Sequence, residues 1–537
     1  MKKTIPVFCC LSICFLLSVF CQCAGLAPVA YANGLAVSNV TLTGQDTANE
    51  TIKVQFDITW NNSWKGSINN DAAWVFVKYS TDSGSTWHHA TLLTTDTADH
   101  DTNPSGYSQG TGTGIDIIVP DDNTTSAGGG YGCFIQRSTT GGGTLSVTGV
   151  QLVWDWGQDG LSATDTARIK VFGIEMVYVP EGSFYIGDGN GIDESTSAFH
   201  ENGADNTAVQ ITTASKDITC DTNIYDDIDT TPIGVDGDNG ITGNTSWPNG
   251  YPAFYIMKYE ISQGQYRDFL NTLTSTQKST RTVTMTSTKY VMTNADTVSY
   301  RNGLYTPDGS TIVCDFDDDG TGDETTDGEW IAMNYLSWMD LAAFADWAAL
   351  RPMTELEFEK ACRGTNSAVY GEYAWGTTDI TEANTLSGSG TSTEGVTENG
   401  NGLCNYYSSS YNPNGPLRAG FAAESATNRV QAGAGYYGIM EFSGNNWERA
   451  VTIGNSTGRN FLGTNGNGEL STNGNADISD WPGYSSGEVT GASGSGFRGG
   501  SWLISALYAR VSRRSDAASA HTGRSRYFGG RVCRQGF

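Results

Sequence analysis

The sequence predicts an α+β chain whose first third is all β, and three observations carry that prediction. From residue 36 to about residue 173 apolar and polar side chains alternate with a period of two. Between residues 262 and 363 the pattern gives way to short segments that open on helix-capping signals. Across all 537 residues there are 67 glycines and only 16% charged residues, a balance of loop-rich proteins rather than helical bundles. With 14 Trp and 25 Tyr the chain has ample material for packed cores. Its formal charge of −28 argues against nucleic acid or an anionic membrane as main partner.

Residues 1–32 read as a secretory signal peptide. Lys2 and Lys3 precede an apolar run that ends near Phe20, and Ala30-Tyr31-Ala32 offers a small-x-small site for cleavage after Ala32. A lipid anchor on Cys21 or Cys23 is the alternative, with Phe20 and Gln22 standing where a small residue is expected. The expected location is therefore secreted, cell surface or periplasm. No later run is long and apolar enough for a transmembrane segment. Six cysteines remain in the mature chain (Cys133, Cys220, Cys314, Cys362, Cys404, Cys533); they lack paired metal-ligand spacing, and disulfides with undetermined pairing are expected options.

Residues 33–172 are expected to form an immunoglobulin-like β-sandwich. Ile52, Val54, Phe56, Ile58 and Trp60 alternate with Lys53, Gln55, Asp57 and Thr59, and further strands are read at 37–42, 74–79, 115–119, 133–137, 147–154 and 167–172. Such a domain reads first as a spacer. Residues 173–537 form the second expected domain: a strand, turn and strand at 176–187, a polar insertion to about Pro252, and a helix capped by Ser262 that carries Tyr266, Phe269 and Leu270. A helix over 338–350 follows, then one opened by the Thr354/Glu357 capping box with Phe358 and Cys362 inward.

Six segments in this order carry a family resemblance: MVYVPEGSFYIG (176–187), FYIMKYEISQGQYRDF (254–269), RPMTELEFEKACR (351–363), YAWG (373–376), GIMEFSGNNWE (438–448) and RGGSW (498–502). Together they resemble the formylglycine-generating enzyme, or sulfatase-modifying factor, family, which implies a C-type-lectin-like fold. Members that oxidise a substrate cysteine carry two copper-binding cysteines after the RGGSW segment. By register these fall at Ile504 and Ala509, which offer copper(I) no thiolate. The resemblance also implies structural calcium near Asn384, Asn445 and Glu448. Independently, Asp315, Asp317, Asp319 and Gly320 copy the opening of an EF-hand loop with Asp323 at its ninth place, although Thr326 replaces the closing Glu. Calcium is thus the one candidate cofactor. The five histidines, His88, His89, His100, His200 and His521, include no pair on one helical face.

The tail reverses the charge. From Arg498 to Phe537 there are eight arginines and one acid, and Arg498, Arg510, Arg514, Arg524 and Arg531 are expected to staple acidic loops. Residues 503–528 show no hydrophobic period and contain no Lys, Glu, Gln, Met or Trp. Those five types are unreachable from an AAC codon whose two adenines vary. The segment resembles the variable region of a diversity-generating retroelement target protein, which implies a hypervariable ligand face. Its expected contacts are Leu503, Ile504, Ser505, Leu507, Tyr508, Arg513, Ser515, Asp516, His521, Thr522, Ser525, Arg526, Tyr527 and Phe528. The implied function is non-catalytic binding of a protein or glycan ligand on another cell or phage. The alternatives are a metal-dependent enzyme of the family using Cys533, Cys362 and His521, and a matrix protein with no specific ligand. Gly530 stands where the resemblance expects an aromatic.

Overall fold

The computed structural model describes residues 34–94, 99–122, 128–189, 198–199, 208–214, 246–407, 413–423 and 426–537. The expected signal peptide, Cys220, His200 and most of the polar insertion lie outside them. Among the described residues no helix is long and apolar enough to cross a membrane.

In the N-terminal third, alternation dictates the sandwich. Thr51–Lys65 pairs antiparallel with Ala36–Asp46 on one side and Gly141–Asp155 on the other, placing Phe56 opposite Val150 and Val54 opposite Leu152. Val54, Phe56, Ile58 and Trp60 are buried while Lys53, Gln55, Asp57 and Thr59 stay partly exposed, as a strand with one wet face requires. The facing sheet contains Asp71–Ser80, Cys133–Arg137 and Ile115–Pro120.

Asp71–Ser80 departs from the half-buried pattern, because every residue in it is buried. Its Val75, Val77 and Tyr79 face the sandwich core, while Trp74 and Phe76 face a second, larger core. There Trp74 Nε1 donates to the Ala348 carbonyl at 2.8 Å, and Phe76 meets Trp347 edge-on with centroids 5.1 Å apart.

The strand Arg168–Val179 explains how the two cores join. From Arg168 to Val177 it pairs antiparallel with Asp71–Ser80, and from Met176 to Val179 with Phe254–Met257. The domain boundary expected at 172/173 thus falls inside one continuous strand. Beyond Phe254–Met257 the same sheet adds Val532–Gln535 and then Arg351–Pro352, so the most C-terminal strand lies inside the sheet. Gly530, just before it, leaves no room for the expected aromatic, since a Cβ there would stand 2.9 Å from Leu341 Cδ1.

Capping boxes start the helices where the sequence places them. Ser262 and Gln265 cap Gln263–Leu270, Ser337 and Asp340 cap Trp338–Trp347, and Thr354 and Glu357 cap Glu355–Arg363. Phe358 and Cys362 point inward as expected. The second helix ends earlier than residue 350, its chain turning through Ala349 at φ +54°. Thr274 caps a further helix, Ser275–Arg281, that the sequence reading missed. The five described cysteines are all buried and free, so the disulfides considered among them do not form.

Candidate functional site

Buried ion pairs hold segment 503–528 from within and from both flanks. Arg498 reaches Glu355 at 3.0 Å and Glu359 at 2.7 Å, and Arg514 grips Glu355 at 2.7 and 2.9 Å. Arg524 forks onto Asp340 at 2.7 and 2.8 Å, and Arg531 meets Glu448 at 2.6 Å. Arg510 lies over the Tyr370 ring beside Gly371. Burial works against the Glu355 and Asp340 carboxylates, but the adjacent guanidiniums outweigh it and leave both below the ordinary carboxylate range. Each pair spans elements distant in sequence, so the acidic body and basic tail interlock.

Between those anchors the segment makes a shallow layer on an aromatic base. Trp447, Phe497 and Phe528 form a small buried cluster, with Phe497 and Phe528 stacked at 4.3 Å. Ile504, Tyr508 and Tyr527 pack on it while staying partly exposed. Tyr527 meets Phe528 edge-on at 4.8 Å and His521 meets it at 5.3 Å. Backbone bonds fix the layer: Trp447 N–H donates to Tyr527, Gly529 N–H to Trp447, Tyr335 N–H to Ser525 and Leu336 N–H to Phe528.

Three cations near this layer stack on rings. Arg526 lies 4.3 Å from the Tyr300 centroid, Arg513 lies 4.4 Å from Tyr508, and Arg449 lies 4.1 and 4.8 Å from Phe497 and Phe528. Arg449 is buried, donates to the His521 carbonyl at 2.9 Å, and has Nε and Nη2 without hydrogen-bond partners. Burial lowers its guanidinium to about 9.

Of the fourteen expected contacts, Ser505, His521 and Thr522 are exposed, and Leu503, Ile504, Leu507, Tyr508, Ser515, Asp516, Ser525, Arg526 and Tyr527 are half-buried. Arg513 and Phe528 are each only 6% exposed, which corrects their expected place in the contact set. Arg513 bonds Ser515 at 2.7 Å beneath Tyr508, and Phe528 belongs to the aromatic base. Ala509, Val511, Ser512, Arg514 and Ala517 are also buried, so the segment alternates irregularly between surface and support. Sequence reasoning missed Trp447, Phe497 and Tyr300 as the support; the NNWE motif held the one available signal.

The expected calcium ligands behave differently from one another. Asn445 Oδ1 already accepts from Asn405 Nδ2 at 3.0 Å and Leu417 N–H at 2.8 Å, and its Nδ2 donates to Glu260. Glu448 is paired with Arg531. The Asn445 side chain is thus committed to protein partners, while Glu448 keeps Oε2 buried without a hydrogen-bond partner. Burial and the neighbouring Glu448 push the Glu260 carboxyl up. The Asn384 backbone N–H donates to Glu398 at 3.3 Å.

The acidic loop closes in a register other than an EF-hand's. Asp323, expected at the ninth place, instead accepts from Arg267 and from Cys314 N–H. Asp319 accepts from Thr321 N–H at 2.7 Å. Asp327 takes the vacated side: carboxylate oxygens of Asp315, Asp317 and Asp327 lie within 4.8 Å of one another, and so do those of Asp317, Asp319 and Glu324. Burial raises Asp315 and brings Asp327 up to about 6.

The model of the sulfatase-modifying factor enzyme 1-like domain matches residues 245–535, more than half of the chain. The chain belongs to that family. Among solved structures it is similar to Treponema denticola variable protein 1 at 14% identity, covering 68% of this chain and 96% of that one with a TM-score of 0.29, a likeness too loose to carry an argument. No curated protein sequence matches it.

Within this sulfatase-modifying-factor-like domain, the positions at issue for copper are Ile504, half-buried on the aromatic base, and Ala509, buried in the separate core that holds Cys362 and Cys533. The residues of the enzymatic alternative sit in two different places. Cys362 and Cys533 lie in one apolar core, where burial pushes both thiols up and away from thiolate. Cys533 also donates toward the Pro352 carbonyl, while His521 sits exposed on Phe528 and accepts from Gly523 N–H.

Proposed function

We propose that this is a secreted or surface-displayed, non-catalytic binding protein whose hypervariable segment 503–528 contacts a protein or glycan ligand on another cell or phage. The observation that carries this reading is the layer of Ile504, Tyr508 and Tyr527, with Arg526 beside it on Tyr300, seated on the Trp447–Phe497–Phe528 base. Tyrosine and arginine give large contact area at low entropic cost, and Ser505, Thr522 and Ser525 add adaptable hydrogen bonds. A rigid base beneath a half-exposed layer supports exchange of the layer without loss of the fold.

Two experiments test it. Mature protein on beads should capture a ligand-bearing cell or phage, and a combined Tyr508→Ala, Arg526→Ala and Tyr527→Ala variant should lose capture while its far-UV circular dichroism and melting stay near wild type. Sequencing the DNA beside the gene should reveal a near-copy of the codons for 498–534 with Asn codons at the varied positions, next to a reverse transcriptase gene. A gene neighbourhood without such a copy would remove hypervariability from the reading. Stoichiometric copper(I) binding that is lost in Cys533→Ser would replace it with the enzymatic one.

A further inference from the structure

Between residues 315 and 327 the chain carries seven carboxylates, of which Asp323 alone is matched by a cation, Arg267. Such loops are ordinarily solvated, and charge density by itself assigns nothing. Two of these acids, however, are not solvated. Asp315 is 1% exposed and Asp327 is 0% exposed, and in each Oδ1 is buried without a hydrogen-bond partner. A buried, unmatched carboxylate oxygen is costly, and here two such acids contribute to one cluster with Asp317. The second oxygen of Asp327 is already used, since Oδ2 accepts from Glu324 N–H at 2.7 Å. The Asp327 carboxylate is therefore held in place rather than free to rotate to water.

We propose that Asp315, Asp317 and Asp327 hold one divalent cation of the calcium class. Calcium binds oxygens at about 2.3–2.6 Å, so ligands on opposite sides of the ion stand at most about 5 Å apart. The three ligand atoms fall within 4.8 Å of one another, which leaves space for one such ion among them. Asp317 is exposed and its Oδ2 accepts from Thr326 Oγ1 at 2.7 Å, so the site opens to water on that side, where the remaining ligands of a calcium shell are supplied. The loop's base is fixed from below: the single Tyr290 hydroxyl proton has the Asp315 carbonyl at 2.9 Å and Asp318 Oδ1 at 2.7 Å as acceptors. Asp319, the fifth-place ligand of an EF-hand, caps its own turn and stays outside the set.

The site has a route to the binding layer. The chain leaving Asp327 passes through Gly328, whose N–H donates to Gly390, and reaches Asn334 and Tyr335, which bond the Arg526 and Ser525 carbonyls. Closing the acidic loop on an ion steadies the segment on which 525–528 rests.

Calcium chloride titrated calorimetrically into chelator-stripped mature protein should show one saturable site and raise the melting temperature. Asp327→Asn and Asp315→Asn should weaken binding tenfold or more, and Asp319→Asn should leave it within twofold. Should Asp315→Asn fail to fold, Asp327→Asn and Asp317→Asn carry the test. In chelator, Asp327→Asn should melt at or above wild type, because a buried charge is gone; in calcium it should melt below. No saturable binding by wild type would overturn the site. So would loss of binding in Asp319→Asn with Asp327→Asn intact, or an Asp327→Asn deficit of equal size with and without calcium.

Discussion

Two sets of arginines, both drawn from the basic end of the chain and the strand beside it, are used in opposite ways. Arg498, Arg514 and Arg531 are buried and forked onto Glu355, Glu359 and Glu448, their hydrogen bonds spent inside the protein. Those three also lie over rings, Phe358, Phe199 and Phe442, at 3.7–5.0 Å, whereas Arg526 and Arg449 meet rings at 4.1–4.8 Å with no carboxylate paired to them among the described residues. A guanidinium matched to a carboxylate fixes the backbone around it. One that has only a ring to meet keeps donors unspent, as Arg449 does at Nε and Nη2. The same residue type therefore builds the frame at 498 and 531 and the working layer between them.

The comparison is broken most directly at the frame. Arg531→Ala leaves Glu448 buried and unmatched, and should cost about 3–5 kcal/mol in denaturant unfolding. Arg526→Ala should cost less than about 1 kcal/mol by the same measurement; equal losses would erase the distinction. Phe528→Ala tests the base, and cavity formation there should cost about 3 kcal/mol or more, whereas the Tyr508→Ala, Tyr527→Ala pair should cost clearly less per ring and act on binding. A pH series sharpens the frame's electrostatics. Glu441 is buried and accepts from Gly420 N–H, and burial brings its carboxyl up to about 7. Above its unfolded value near 4.5 only the unfolded chain has lost that proton. Stability should accordingly fall between pH 4.5 and 7, by up to about 3 kcal/mol, and level off above. Glu441→Gln should flatten that slope in urea midpoints. Ser505→Ala and Thr522→Ala, both at the outer surface, should shift stability by no more than about 0.5 kcal/mol.

What the sequence disclosed depended on the range of the interaction. The boxes at Ser262, Thr354 and their third residues are local, and they start helices where they stand. The alternation of residues 52–60 is local as well, and it sets the sandwich. Asp71–Ser80 shows where local reading stops. Its AAWVFVKY core is apolar at nearly every position, the pattern of a strand covered on both faces, yet only the structure reveals that the second cover comes from Trp347 and Ala348, some 270 residues on. The acidic loop fails for the same reason, since Arg267 removes Asp323 from a motif that spacing alone had completed. The tail arginines were legible as staples because their charge opposes the rest of the chain, but which acids they choose is a property of the fold. Phe528 and Arg513 look like Tyr527 and Arg526 on paper, and only packing separates them.

The position of Val532–Gln535 inside the sheet has a consequence for biosynthesis. Phe254–Met257 and Arg351–Pro352 wait with open edges until a strand made nearly two hundred residues later is inserted between them. A polypeptide cut short anywhere in 503–528 lacks that strand, together with Arg531 and its hold on Glu448. Such a product exposes two sheet edges and a stranded buried carboxylate, features that proteases and chaperones read as unfinished. Closure of this sheet thus requires that the chain be made in frame through the whole of 503–528.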